Sequence, residues 1–208
     1  FIKNSKFIIQ NVSRETLDEL NKYSSSILKK NKDINLISSK SEAESRKRHI
    51  IDSAQIIDFI DKNDDTCTDI GSGSGLPGIV LAIIMKHRNS KMMFNLYEKS
   101  YHKSNFLRDV SKKFKLNTKI YQKNIFEEKN LKTDLIVARA FKPLPVILKL
   151  ANERFTKFKN IILFLGKNGK EILRDSLTKW DFEYKEKKSI TSNDSFFIKI
   201  SKLKKKYE

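Results

Sequence analysis

The chain has 208 residues, 38% of them hydrophobic, and a formal net charge of +18 at pH 7, which is enough apolar material for one domain with an appendage. Its single cysteine, Cys67, excludes an internal disulfide scaffold and leaves a structural zinc site without ligands, so no metal is expected. No apolar run reaches the length of a membrane span, and Phe1-Ile2-Lys3-Asn4 does not begin a secretory leader; a cytoplasmic protein without a membrane partner is expected.

Lysine dominates the positive charge. One reading is a compositional bias toward Lys, Asn and Ile with a solvated lysine face. The other is a polyanionic partner, because a cationic surface gains affinity by releasing phosphate counterions.

Residues 1 to about 64 read as a helical N-terminal extension. Leu17, Leu20, Ile27 and Leu28 recur at helical spacing, and Asn35-Leu36-Ile37 interrupts the pattern. Ser41 and Glu44 form a capping-box pattern ahead of a helix that begins with Arg46-Lys47-Arg48-His49 and becomes apolar from Ile50 to Ile60. The basic cluster reads either as a solvated helix end or as a phosphate or RNA contact.

From residue 65 to 208 the pattern becomes strand–helix alternation in one compact unit. Strand Thr66–Ile70 enters Gly71-Ser72-Gly73-Ser74-Gly75-Leu76-Pro77-Gly78, and an apolar helix leaves from Ile79. Four of the chain's six glycines lie in this loop, where positive φ and close ligand approach are available. Met92–Tyr97 is the second strand, closed by Glu98, and Ser100 can cap a helix burying Phe106, Leu107, Val110 and Phe114. Lys119–Tyr121 is a third strand followed by Asn124, and Asp134–Ala138 a fourth, ending at Arg139-Ala140-Phe141. A helix over Leu144–Phe155 precedes a fifth strand, Asn160–Leu165, apolar enough to be central. After Gly166-Lys167 come a short helix and two strands without a helix between them, around Phe182–Tyr184 and Ser195–Ile200. Lys202–Lys206 reads as a frayed basic end. The fold class is α/β, a Rossmann-like sheet with a terminal antiparallel hairpin and a helical N-terminal extension.

The glycine loop fits two ligands. Gly71, Gly73 and Gly75 make the G-x-G-x-G turn of S-adenosylmethionine enzymes; Gly73, Gly75 and Gly78 satisfy the dinucleotide fingerprint G-x-G-x-x-G. Glu98, one strand on, would hold ribose hydroxyls in either case. The strand end at Ile70, the loss of a helix-start N–H at Pro77 and the terminal hairpin favour the methyl donor over a pyrophosphate.

Three motifs occur in order: Arg48-His49-Ile50-Ile51-Asp52-Ser53, Asp69 through Gly78, and Arg139-Ala140-Phe141. With Asn35-Leu36 and Glu98-Lys99-Ser100 through Phe106-Leu107, they resemble the bacterial 16S rRNA guanine-N7 methyltransferase family of RsmG type (GidB), over about Asn31 to Glu171. The resemblance implies the class I methyltransferase fold, S-adenosyl-L-methionine as cofactor, and as substrate a guanine N7 in the decoding-region (530) loop of 16S rRNA, free or in the small-subunit particle. It implies cofactor contacts at Gly71, Gly73, Gly75, Leu76, Glu98, Asn124, Ile125 and Arg139. Arg139 would also position the target, with no general base, and Arg46, Lys47, Arg48, His49 and Lys167 would face RNA. A monomer is expected. The sequence departs from the family pattern at Lys30, where many members have Trp, at Ala138, where many have Ser, at Asn124, and at Gly166-Lys167, where Lys-Gly is usual. Other readings of the same fold are a methyltransferase for another RNA, a protein or a small molecule, and a non-catalytic RNA-binding protein.

Overall fold

The computed structural model describes residues 12–38 and 42–206, and only the backbone of 42–48. Helix α1 (Arg14–Asn31) starts at Ser13, whose hydroxyl oxygen accepts the Thr16 N–H at 3.2 Å. It buries Leu20, Tyr23 and Ile27, the face marked by their helical spacing. The helix stops at Asn31, whose Oδ1 accepts the N–H groups of Leu36 at 2.8 Å and Ile37 at 2.9 Å and so bends the Asn35–Ile37 break into a turn. Helix α2 (Glu42–Gln55) continues into a 3₁₀ turn, Ile56–Phe59. Ser41, the first half of the expected capping box, lies outside the described residues.

The Rossmann-like unit then runs β1 (Thr66–Ile70), α3 (Gly78–His87), β2 (Met93–Tyr97), α4 (Tyr101–Lys113) and β3 (Thr118–Tyr121). It goes on through a 3₁₀ turn, Ile125–Glu127, to β4 (Leu131–Lys132), β5 (Leu135–Ala138), α5 (Leu144–Arg154), β6 (Phe155–Lys157), β7 (Asn160–Leu165) and α6 (Gly169–Lys179). Strands β8 (Trp180–Lys188) and β9 (Phe196–Lys205) close the chain. The seven-stranded sheet has the order β3-β2-β1-β5-β7-β9-β8, parallel except at β9, which runs antiparallel to both neighbours. Strand β7, nearly all apolar, is interior, between β5 and β9.

Helices α1 to α4 cover one face and α5 and α6 the other, so two apolar clusters sandwich the sheet. Helix α3 is apolar on every side because it is covered on every side: the sheet lies beneath it and α1 and α2 above it. The N-terminal helices therefore share their core with the sheet. Lys86 of α3 fixes the arrangement, donating to the Glu19 carboxylate of α1 at 2.6 Å and to the Phe114 carbonyl after α4 at 3.0 Å.

Two local expectations are corrected. The basic tail Lys202–Lys206 is not frayed: β9 pairs with β8 as far as Lys205, and the Lys206 N–H donates to the Lys179 carbonyl. A bulge explains why alternation was hard to read there. Between Asp181 and Glu183 the register slips, and Lys202 takes φ +56°. The helix expected to reach Phe155 ends at Arg154, and Phe155 opens β6, which pairs in parallel with β4; these two- and three-residue strands are too short for periodicity to mark.

Candidate functional site

Strand register assembles the site. Ile70 lies opposite Tyr97, and Asp69 opposite Val137. The residues that follow these three strands, Gly71, Glu98 and Arg139, therefore emerge together at the carboxyl edge of the sheet. β1 leads outward to β2 and β3 on one side, while β5 and β7 fill the other, so this is the reversal point where α/β sheets hold ligands. A cavity of about 750 Å³ opens there, within the range of small-molecule sites. It is lined by Leu36 and Ile37, the glycine loop, Glu98, Asn124 and Ile125, and Arg139 to Lys142.

The loop's own hydrogen bonds decide between its two templates. Ser72 N–H donates to the Tyr97 carbonyl at 2.9 Å, Gly73 N–H to Glu98 Oε2 at 2.9 Å, and Gly75 N–H to the Ser72 carbonyl at 2.7 Å. At the start of α3, Pro77 has no N–H, Gly78 N–H is taken by Asp69 Oδ2 at 2.9 Å, and Ile79 N–H by the Gly75 carbonyl at 2.8 Å. A pyrophosphate needs these amides, and they are engaged inside the protein. The arrangement suits a cofactor held by a carboxylate, apolar walls and backbone approach. Gly73 provides the approach: it has φ +57°, and a Cβ there would find only the Gly71 carbonyl, 4.0 Å away. Gly71 has φ +74°, and the ring of Phe141 lies against it. Gly75 faces the other way, toward Ile79 and Tyr23, and does not line the cavity. Tyr23 of α1 clamps the loop from behind, donating its hydroxyl to the Ser74 carbonyl at 2.6 Å.

Asp69 is the buried support of the loop. Burial pushes its carboxyl up to about 7, the Gly78 amide and the nearby Ser72 hydroxyl pull the other way, and the Glu98 charge adds to the rise. Its Oδ1 accepts no hydrogen bond among the described residues. The folded value lies above the unfolded one, so the folded protein binds the extra proton between about pH 4 and about pH 7, and this group's stabilisation declines as pH rises through that window. Asp69→Asn is expected to remove the decline, because the amide oxygen can still accept from Gly78. Thermal melts at about pH 5 and about pH 8 should show the variant gaining on the wild type at the higher pH; parallel curves would contradict the assignment.

Arg139 lines the cavity, but its guanidinium is also bound behind it. Nη1 donates to the His49 carbonyl at 3.0 Å, and Nη2 to His49 Nδ1 at 2.5 Å and to Asp52 Oδ2 at 3.1 Å. The group lies over the Phe164 ring, 5.4 Å from its centroid. Asp52 Oδ1 accepts from Gln55 Nε2 at 3.2 Å, from the Ser189 hydroxyl at 3.1 Å and from the Thr191 hydroxyl. One network thus joins α2, the end of β5 and the loop between β8 and β9. Because a guanidinium only donates, His49 Nδ1 must accept, which fixes the neutral ring as the Nε2–H tautomer.

The other expected site residues divide. Leu76, Glu98, Asn124, Ile125 and His49 all line the cavity. Glu98 Oε1 also accepts the Ser100 N–H at 2.8 Å, so both carboxylate oxygens hold backbone. The Asn124 side chain caps the following 3₁₀ turn at Phe126 N–H and donates to Glu127 Oε1, so it shapes the wall beside Ile125. Lys167 is exposed in the β7–α6 loop and is not among the cavity residues. The side chains of Arg46, Lys47 and Arg48 lie outside the described ones. Sequence reasoning missed Asp52, Phe141, Tyr97 and the lysines at 99, 103, 123 and 142, all of which support or line the cavity. Lys99, Lys123, Phe141 and Lys142 could have been marked by their position soon after strand ends; Asp52, Tyr97 and Lys103, in a helix or a strand, carry no such signal.

Residues 16–196 match the family model described as rRNA small subunit methyltransferase G (GidB). The chain is 51% identical over 199 residues to the ribosomal RNA small subunit methyltransferase G of Pelagibacter ubique (strain HTCC1062), covering 95% of this chain and 93% of the relative. Among solved structures, the ribosomal protein L11 methylase of Lactobacillus delbrueckii subsp. bulgaricus superposes with a TM-score of 0.58 at 14% identity, over 74% of this chain and 78% of that one. M. jannaschii TYW2 in complex with AdoMet gives a TM-score of 0.51 at 16% identity, over 81% and 78%. These two likenesses establish the methyltransferase fold, and the matched family model and the Pelagibacter relative establish more: this chain belongs to the rRNA small subunit methyltransferase G family.

Proposed function

We propose that the protein transfers a methyl group from S-adenosylmethionine to N7 of a guanine in the decoding-region loop of 16S rRNA. The observation that carries this reading is that the cavity presents no poised proton acceptor among the described residues. Glu98 holds two backbone amides, and the imidazole of His49 carries its proton on Nε2. Burial first, then the stacked Tyr121 ring at 4.6 Å and the Glu128 charge, push the Tyr97 phenol up to about 12, so it stays protonated. A hydroxyl or exocyclic amine would need its proton removed, whereas guanine N7 offers a lone pair and no proton.

When bound, S-adenosylmethionine supplies an electrophilic methyl carbon, and transfer to N7 requires alignment rather than acid–base chemistry. Gly71, Gly73 and Leu76 would form the floor beneath it, with Glu98 accepting from the ribose and Ile125 and Asn124 walling the adenine. Arg139 and His49, tied together on the opposite wall, would hold the guanine through donors and leave N7 unobstructed. Lys99, Lys103, Lys123 and Lys142 line the cavity and suit a phosphate backbone. The enzyme acts on the RNA, free or within the small-subunit particle, as a cytoplasmic monomer.

The test is transfer of labelled methyl from S-adenosylmethionine to small-subunit RNA prepared from cells lacking the protein, followed by nuclease digestion. The expected product is N7-methylguanosine. Label in another nucleoside, or only in protein, would overturn the assignment.

A further inference from the structure

We propose that the ring of Tyr101 is a stacking platform for an unpaired RNA base next to the methyl-accepting guanine. The proposal rests on the rRNA-methylating reading and adds a positioning residue that the cofactor site does not contain. Tyr101 is 60% exposed, whereas Phe106 on the same helix is 5% exposed in the core. It opens α4, and Lys99 and Lys103, two residues before and after it, line the cavity. The ring meets the His102 ring edge-on, at 5.5 Å between centroids and 76° between planes. Tyr101 is not itself among the cavity-lining residues; it follows Glu98 and Lys99, which are, at the carboxyl end of β2.

The surroundings identify the occupant. Lys99, Lys103 and Lys142 at the cavity make no ion pair among the described residues, and Glu98 is the one carboxylate among the described lining residues. An exposed ring that follows one cavity lysine in sequence and precedes another, neither of them ion-paired among the described residues, matches a single strand, which presents bases at intervals along a row of phosphates. An apolar protein surface would instead have to desolvate those ammonium groups. A guanine presented to the cavity must leave its own stack, and the adjacent base then loses a stacking partner that Tyr101 can replace.

The experiment compares wild type with Tyr101→Ala, Tyr101→Phe and Tyr101→Trp. Methyl transfer is measured on small ribosomal subunits from cells lacking the protein, and binding is measured on naked 16S rRNA by filter retention. Tyr101→Ala should raise the KM for the subunit and weaken rRNA retention by about five- to a hundredfold. The KM for S-adenosylmethionine should be unchanged, and Phe and Trp should restore the RNA values. An Ala variant within twofold of wild type in both assays would overturn the proposal, as would a Phe variant as impaired as Ala. A defect on subunits without any change in rRNA retention would assign the ring to a ribosomal protein and also overturn it. Absence of methyl transfer by the wild type, with rRNA retention still dependent on the Tyr101 ring, would count against the proposed reaction and not against the platform.

Discussion

Gly71→Ala is expected to reduce methyl transfer by about a hundredfold through loss of the cofactor floor, as small misplacements at a reacting centre do. The residue has φ +74°, a region that costs an alanine about 1–2 kcal/mol. Its Cβ would also lie 2.0 Å from the Phe141 ring, which must then leave its stack on Phe126. The two effects together should lower Tm by roughly 5–10 °C in a chain of this size. Gly73→Ala separates cofactor loss from instability. A Cβ there meets nothing closer than 4.0 Å, so Tm should fall by only a few degrees, about 1–2 kcal/mol of φ cost, while donor binding is lost into the same cavity. Isothermal titration with S-adenosylmethionine and thermal melts on both variants check this, and donor affinity within twofold of wild type in Gly73→Ala would remove the loop from the site.

Arg139→Ala is expected to abolish methylation and to destabilise the fold at once. It leaves Asp52, 6% exposed, without its cation, a change that costs about 3–5 kcal/mol when a buried pair is broken. The hydrogen bonds from Gln55, Ser189 and Thr191 to Asp52 place the expected loss at the low end of that range. Adding Asp52→Asn removes the orphaned charge, so the double variant should recover most of the lost Tm and none of the activity. Melts and methyl-transfer rates on both variants distinguish two roles. Activity that returns with Tm would make Arg139 a structural ion pair only.

The sequence displays what backbone chemistry and periodicity control. The Thr66–Ile70 strand, the positive-φ glycines, the Ser100 cap and the reversed last strand all follow from local residue types, and the structure contains each of them. Side-chain commitments across the fold are another matter. Asp69 looks like the end of an apolar strand, yet it holds the first amide of α3; Asp52 looks like one acid in a helix, yet it pairs with a guanidinium 87 residues away. Such partners are brought together by register and helix packing, which a linear pattern does not encode. Lys167, expected to face RNA, is exposed in the β7–α6 loop and is not among the cavity-lining residues. The Lys202 bulge is a further example, because one extra residue reverses the alternation by which the end of β9 would have been recognised.

The proposed reaction at this cavity is methylation of guanine N7 in small-subunit RNA. The most direct measurement is a map of N7-methylguanine along 16S rRNA by borohydride reduction and chain cleavage, in cells with the gene intact, deleted, and restored as Gly73→Ala. One cleavage site in the decoding-region (530) loop is expected, present in the first strain and absent from the other two. An identical cleavage pattern in all three would contradict it.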